Sequence, residues 1–206
     1  NRYAGGYADA SRMVMSFAGV TSSGNDQNNE IVIRGNSPKG LLWRLEGVEI
    51  PNPNHFGDGQ GSTSGIISMI NSGSLANSDF LTGAFPAEYG NATSGVFDIG
   101  FRNGNSKKRE TTIQLGVITG LEATTEGPIN KDKGSSYLVG YRYGLAGVAK
   151  LVGDDIGTTA TTSYQDLSFK LKINSKTNLL TGINHFYNTK IFDKNEDNFT
   201  DIALQN

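Results

Sequence analysis

Cysteine is absent from this 206-residue chain. Disulfides, zinc–thiolate sites and thiol nucleophiles are therefore excluded, while the compartment stays open. Histidine is nearly absent, with only His55 and His185. No further nitrogen or sulfur ligands group around them, so they read as a loop residue and a strand residue, and no metal is expected. Charge of one sign is lacking too: 18 basic residues face 20 acidic ones, and the bases cluster only at Lys107-Lys108-Arg109. A nucleic-acid partner would need a basic face to neutralise phosphates, so none is expected. No apolar run approaches the roughly 18 residues of a membrane helix. No signal peptide opens the sequence, which starts as folded sequence does and reads as a processed or truncated piece.

Catalytic constellations are missing as well. Gly61-Ser62-Thr63-Ser64-Gly65 has threonine where a nucleophile elbow needs serine. Gly57-Asp58-Gly59-Gln60-Gly61 fails the spacing of a dinucleotide loop and follows loop residues rather than a strand. Asp193, Asn195 and Asp197 start like a calcium loop, but Asn198 stands where glycine is required and Leu204 where glutamate is. Asn91-Ala92-Thr93 and Asn198-Phe199-Thr200 match a glycan-acceptor pattern that recurs by chance. The expectation is a non-enzymatic protein without a cofactor.

What is abundant is glycine: 27 residues, nearly twice the usual share of about 7%, beside 5 prolines. Glycine scattered through the whole chain suits many short strands joined by turns that need positive φ. Ala10, Met13, Val14 and Phe17 share one helical face, so the spacing predicts a core-packing helix over 9–17, capped by Asp9 and ended by Gly19. Strands are expected at Ile31 to Arg34, Leu41 to Leu45, Val48 to Ile50, Phe80 to Phe85 and Gly95 to Arg102, with a helical turn at Ile66 to Ile70. Glu46-Gly47 reads as a tight hairpin turn. Residues 51–64 form a long polar loop, of the kind that often carries function. A mixed α+β domain is thus expected to end near Asn105.

After Lys107 the texture changes to segments of about ten residues that alternate apolar and polar. The clearest runs from Gln165 to Ile173, where Leu167, Phe169, Leu171 and Ile173 oppose Asp166, Ser168, Lys170 and Lys172. Tyr137, Val139, Tyr141 and Tyr143 likewise share a face. Such alternation fits a transmembrane β-barrel and equally a soluble antiparallel sheet with one wet face.

The first hundred residues resemble the plug domain of TonB-dependent outer-membrane receptors of the Bacteroidetes type. The resemblance rests on features in the family's order: Ala18-Gly19-Val20 after a short helix, Arg34-Gly35 ending a strand, Glu46-Gly47 for an Asp-Gly turn, Gly83 to Gly90 with Ala84 for proline and with Tyr89-Gly90, and Ser94-Gly95 for Gly-Gly. Glu126-Gly127-Pro128-Ile129 resembles the segment that closes the second barrel strand. The resemblance implies a plug over 1–105, followed over 106–206 by the first strands of a partial transmembrane β-barrel, about five of them. A receptor barrel has about 22 strands, so the chain resembles a fragment. It also implies transport through the outer membrane of a Gram-negative cell, with the plug facing the periplasm and gating uptake of a siderophore, a glycan or another scarce nutrient. A TonB energy-coupling protein is the implied partner, its contact segment lying outside this sequence. The plug's outward loops, carried over residue by residue, are Asn36, Ser37 and Lys39, then Asn52, Asn54, His55 and Phe56. Arg34, Gly35, Glu46, Gly47, Gly83, Tyr89 and Gly90 are structural motif residues, with Arg34 expected in a salt bridge and Tyr89 in packing. Open strand edges would invite pairing with another copy. The alternative from a different class is a small soluble β-rich binding or adhesion domain.

Overall fold

The structure, a computed structural model, describes residues 9–22, 29–55, 65, 67–116, 119–144, 160–174, 178–191 and 200–204. Phe56, most of the long polar loop, and the calcium-like Asp193, Asn195 and Asp197 lie outside the described residues. The chain divides into two compact units, Asn1–Asn103 and Gly104–Asn206.

The first unit opens with a helix, α1, at Ala10–Val14. Asp9 caps it, its carboxylate accepting from the Ser11 N–H at 2.8 Å. The helix is shorter than its apolar spacing predicts. Met15 already serves as its C-terminal cap, and the Phe17 N–H donates to the Val14 carbonyl at 3.0 Å, closing a tight turn that carries Phe17 out of the helix. Phe17 is accordingly 51% exposed, yet its ring lies 5.8 Å from that of Phe80. A small antiparallel pair follows, β1 (Val20–Ser22) with β2 (Ile31–Ile33).

The main sheet of this unit has four strands. β3 (Leu41–Leu45) and β4 (Val48–Ile50) form the expected hairpin, with Leu45 opposite Val48. Both turn residues are left-handed, Glu46 at φ 51° and Gly47 at φ 81°, as a two-residue hairpin turn requires. Glutamate is an uncommon residue there. Its carboxylate accepts from the Phe101 N–H at 2.6 Å and its own N–H donates to the Ile99 carbonyl at 2.8 Å, which hold the turn. β5 (Asn54–His55) pairs with β6 (Ile67–Ser68) as a separate two-stranded ribbon. The helical turn expected at Ile66 to Ile70 does not form. The Ser68 and Met69 N–H groups donate to Asp9 and to the Pro53 carbonyl instead of to a preceding turn. β7 (Asp79–Leu81) and β8 (Gly95–Ile99) complete the sheet in the order β4-β3-β8-β7, with β3 and β8 parallel. β7 is shorter than expected: its pairing with β8 ends at Leu81 opposite Val96, the chain bends at Thr82 and Gly83, and Ala84 beyond is left-handed at φ 54°.

Period-two alternation sorts this sheet into two faces. On one, Trp43, Phe97 and Phe80 lie side by side across three strands, with ring centroids 5.2 and 5.3 Å apart. Ala10 and Val14 of α1 are buried with Ile31, Ile33 and Ile99 in the same core. On the other face the register aligns Glu49, Arg44, Asp98 and Asp79, one from each strand.

The second unit is one antiparallel sheet of six strands in sequence order. They are β9 (Glu110–Gly116), β10 (Gly120–Asn130), β11 (Ser135–Tyr143), β12 (Ala160–Lys172), β13 (Asn178–Ile191) and β14 (Thr200–Leu204). That is one more than the length of the segment suggests, in the up-and-down order that a barrel wall and an open meander share. No helix among the described residues is long and apolar enough to cross a membrane.

Candidate functional site

Residues 83–94 run without regular structure over the polar face of the first sheet, and side chains strap them there. Arg44 reaches Asp98 at 3.4 Å and Glu88 at 3.9 Å, and its guanidinium sits 4.8 Å from the centroid of the Tyr89 ring. The same Arg44 donates to the Gly47 carbonyl at 2.8 Å, so it joins hairpin, sheet and strap. The Tyr89 hydroxyl donates to Asp98 at 3.3 Å, and Asn91 donates to Glu49 at 3.3 Å. At the far end of the strap the Thr93 and Ser94 N–H groups both donate to the Gly40 carbonyl at 3.0 Å. Tyr89 is half-buried. Desolvation raises its pKa above the ordinary tyrosine value of 10.0, and the charges of Asp98 and Glu88 push the same way. Its phenol therefore stays a donor throughout the physiological range.

The loop residues taken from the family resemblance divide by exposure. Asn36, Ser37 and Lys39 are exposed, on a turn fixed by the Asn36 N–H donating to the Ile33 carbonyl at 2.9 Å. Asn52 is half-buried, whereas Asn54 and His55 are buried, at 8% and 0% exposure. Asn54 donates from its side chain to Asn52 at 2.9 Å and accepts from Asn29 at 2.7 Å. Asn29 in turn donates to the buried Asp9 at 2.9 Å. This network ties the helix cap, the β5–β6 ribbon and the segment before β2 together. Arg34 departs from its expected salt bridge. It is exposed, left-handed at φ 50°, and forms no ion pair among the described residues; its side chain lies against Gly19 instead. Tyr89 does more than pack, since its ring and hydroxyl both engage charged groups.

On one face the second sheet exposes apolar side chains, while the edge strand β9 also exposes Thr111, Thr112 and Gln114. Ile113 and Leu115 are 71% and 73% exposed, and Leu121, Ile129, Tyr141, Tyr143, Leu167 and Ile173 are exposed as well. The opposite face is buried and charged. Glu122, Arg142 and Asp166 are aligned by register across three strands at 3%, 1% and 4% exposure, and Gln114 of β9 extends the row. Arg142 donates from Nε to Asp166 at 2.7 Å and from a second nitrogen to the same oxygen, lies 3.9 Å from Glu122, and stacks 5.2 Å from the centre of the Tyr164 ring. Gln114 donates to Glu122 at 2.8 Å. Tyr137 and Tyr143 stand six residues apart on the exposed face of β11, a span of about 20 Å along the strand.

Sequence reasoning did not single out Arg44, Asp98, Glu122, Arg142 or Asp166 as a group. The signal was present as one charge at one parity inside an otherwise apolar strand, as with Arg44 inside Leu41 to Leu45. Pairing across strands cannot be read from that parity alone.

Residues 4–96 match the family model described as TonB-dependent Receptor Plug Domain. The match covers nearly all of the first unit, which has the mixed fold of such a plug domain and is followed by an antiparallel sheet as in the N-terminal region of such receptors. Among solved structures, the chain is similar to a double mutant of the ferric enterobactin receptor PfeA from Pseudomonas aeruginosa, at TM-score 0.54 and 16% identity. It is also similar to PfeA in complex with BCV-L6, at TM-score 0.52 and 17% identity. In both, 89% of this chain is covered, and the chain spans less than a third of the receptor, 31% and 30%. No curated protein matches the chain.

Proposed function

We propose that this chain is the gate and the first wall strands of an outer-membrane receptor that takes up a scarce nutrient, a siderophore or a glycan, with energy supplied by a TonB protein. Residues 1–105 act as the plug that closes the channel, and 106–206 as part of the barrel. The observation that carries this reading is the second sheet's exposed apolar face, backed by a buried charged row. A soluble adhesion domain would present the opposite parity to water. A barrel wall needs this one: its outward band is apolar, about 25 Å tall and edged by aromatic residues, and its interior is polar. The Tyr137–Tyr143 span fits such a band.

The exposed Asn36, Ser37 and Lys39 are the first candidates for substrate contact, since amide, hydroxyl and ammonium groups suit a polar ligand. Asn52 stands at the edge of that role, while Asn54 and His55 are proposed to act through the loop they hold. Ligand binding and the pull of the coupling protein would bias the plug between closed and open arrangements. The order of the plug motifs is the ground for assigning the receptor to a Bacteroidetes-type membrane.

The test is the denatured mass of the protein that carries this chain, detected by an antibody in fractionated cells. A band several times heavier than 22.0 kDa in the outer-membrane fraction is the expected result. A soluble band at that mass would overturn the reading in favour of the small binding domain.

A further inference from the structure

One end of the second sheet is rich in basic residues. At the end where β9 begins and the β10–β11 turn lies, Lys107, Lys108, Arg109, Lys131 and Lys133 are all exposed, against Glu110 and Asp132. Lys172, near the end of β12, adds to the same edge.

The basic end also adjoins the exposed apolar face. Arg109 donates from Nε to the Tyr137 hydroxyl at 3.0 Å. A side chain on Gly127 would crowd the Tyr137 ring and hydroxyl, each 3.2 Å from where its Cβ would sit, so the glycine lets that ring lie across β10 toward Arg109. Ile129 beside them is 59% exposed. Lys108 is paired with Glu110 at 2.6 Å on the surface, whereas the exposed Lys107, Lys131 and Lys133 form no ion pair among the described residues, which leaves their ammonium groups available to an outside anion. A tyrosine at the margin of an apolar band, with cations just beyond it, is the arrangement that meets a lipid headgroup: ring at the interface, ammonium and guanidinium groups at phosphate height.

We infer that the basic end of this sheet is a binding surface for anionic glycerophospholipids, with Lys107, Lys108, Arg109, Lys131 and Lys133 meeting the headgroup phosphates of the adjoining leaflet. This rests on the reading of the sheet as a membrane wall. Lipid at this rim would hold the first hairpin of the wall at a fixed depth.

The test is co-flotation of the full chain with vesicles of phosphatidylcholine alone, and with vesicles in which roughly a third of the lipid is phosphatidylglycerol, a composition that gives an anionic surface. The expected result is binding to both, tighter by about tenfold or more to the anionic vesicles at low salt, with the difference shrinking as salt rises. Replacing the five bases by glutamine should abolish the preference and leave binding to phosphatidylcholine. The milder pair Lys131→Gln and Lys133→Gln, in an exposed turn, should reduce it and guards against misfolding of the larger variant. Equal binding to both vesicles would overturn the inference and leave the membrane reading standing. Absence from both would overturn the two together. Loss of the preference on adding inorganic phosphate at constant ionic strength would also overturn it, by assigning the surface to free phosphate.

Discussion

The two sheets of this chain alternate with the same period and bury opposite halves of the alternation. In the first sheet the aromatic row of Trp43, Phe97 and Phe80 is inside, and Arg44 and Asp98 of the charged row lie under the strap, with Glu49 and Asp79 exposed at its ends. In the second sheet the charged row of Glu122, Arg142 and Asp166 is inside, and Ile113, Leu115 and Tyr141 face out. Period-two patterning specifies which residues share a face, and the surroundings decide which face is buried. Water selects the first arrangement. The second is stable where the outside is lipid.

The largest expected effect comes from removing one member of the wall's charged row. Arg142→Ala leaves the carboxylates of Glu122 and Asp166 buried without their common partner and should cost about 3–5 kcal/mol. Unfolding of the detergent-held chain by denaturant would measure it, and a loss under about 1 kcal/mol would mean the row is solvated. Trp43→Ala in the plug should cost a similar amount, about 3–5 kcal/mol, by opening a cavity in the aromatic row. Polar substitution separates the two sheets further. Leu115→Lys, on the outward face, should cost about 2–4 kcal/mol in a bilayer if it sits near mid-depth. The same variant in a sheet facing water would change stability by no more than about 0.5 kcal/mol.

Smaller effects belong to the strap. Ala84 sits at φ 54°, so Ala84→Gly should stabilise the plug by about 1 kcal/mol. Ala84→Pro should destabilise it by several times that, because proline is locked near −65°. Thermal melts of the two variants moving in the same direction would contradict the backbone assignment. Smallest is the pH response of Tyr89. Its pKa is raised in the folded chain, so its contribution is fully present below the ordinary value of 10.0 and is lost as pH rises past that value toward the folded one. Hydrogen exchange of residues 83–94 should therefore quicken at high alkaline pH relative to the rest of the plug. Tyr89→Phe should remove that pH dependence.

Much of the fold was legible in the residues because it follows from local rules. Glu46-Gly47 between two apolar runs announced the β3–β4 hairpin, and the alternation from Gln165 to Ile173 announced β12. Misreadings arose where a distant group captured the backbone. Asp9 takes the Ser68 N–H and so turns an expected helical turn into β6. Phe17 obeyed the helical spacing but left the helix because a tight turn closed first. The candidate site was less legible. The outward-loop positions came from the family resemblance, and exposure then divided them, since nothing local distinguishes the exposed Asn36 from the buried Asn54. Arg44 and Asp98 meet only through the parallel pairing of β3 and β8, a contact across half the plug's sequence.

The central claim is that the second sheet turns its apolar face to lipid. The absence of cysteine allows a direct measurement, because single-cysteine variants carry one label each. Nitroxides at Leu115→Cys, Tyr141→Cys and Leu167→Cys, in the chain reconstituted into vesicles, should collide readily with oxygen dissolved in the bilayer and poorly with a water-soluble nickel chelate. Nitroxides at Gln114→Cys and Ser168→Cys, one position away, should show no such oxygen preference. An alternation of that kind along β9 and β12 is the result this account predicts. Outward labels more accessible to the nickel chelate than to oxygen would contradict it.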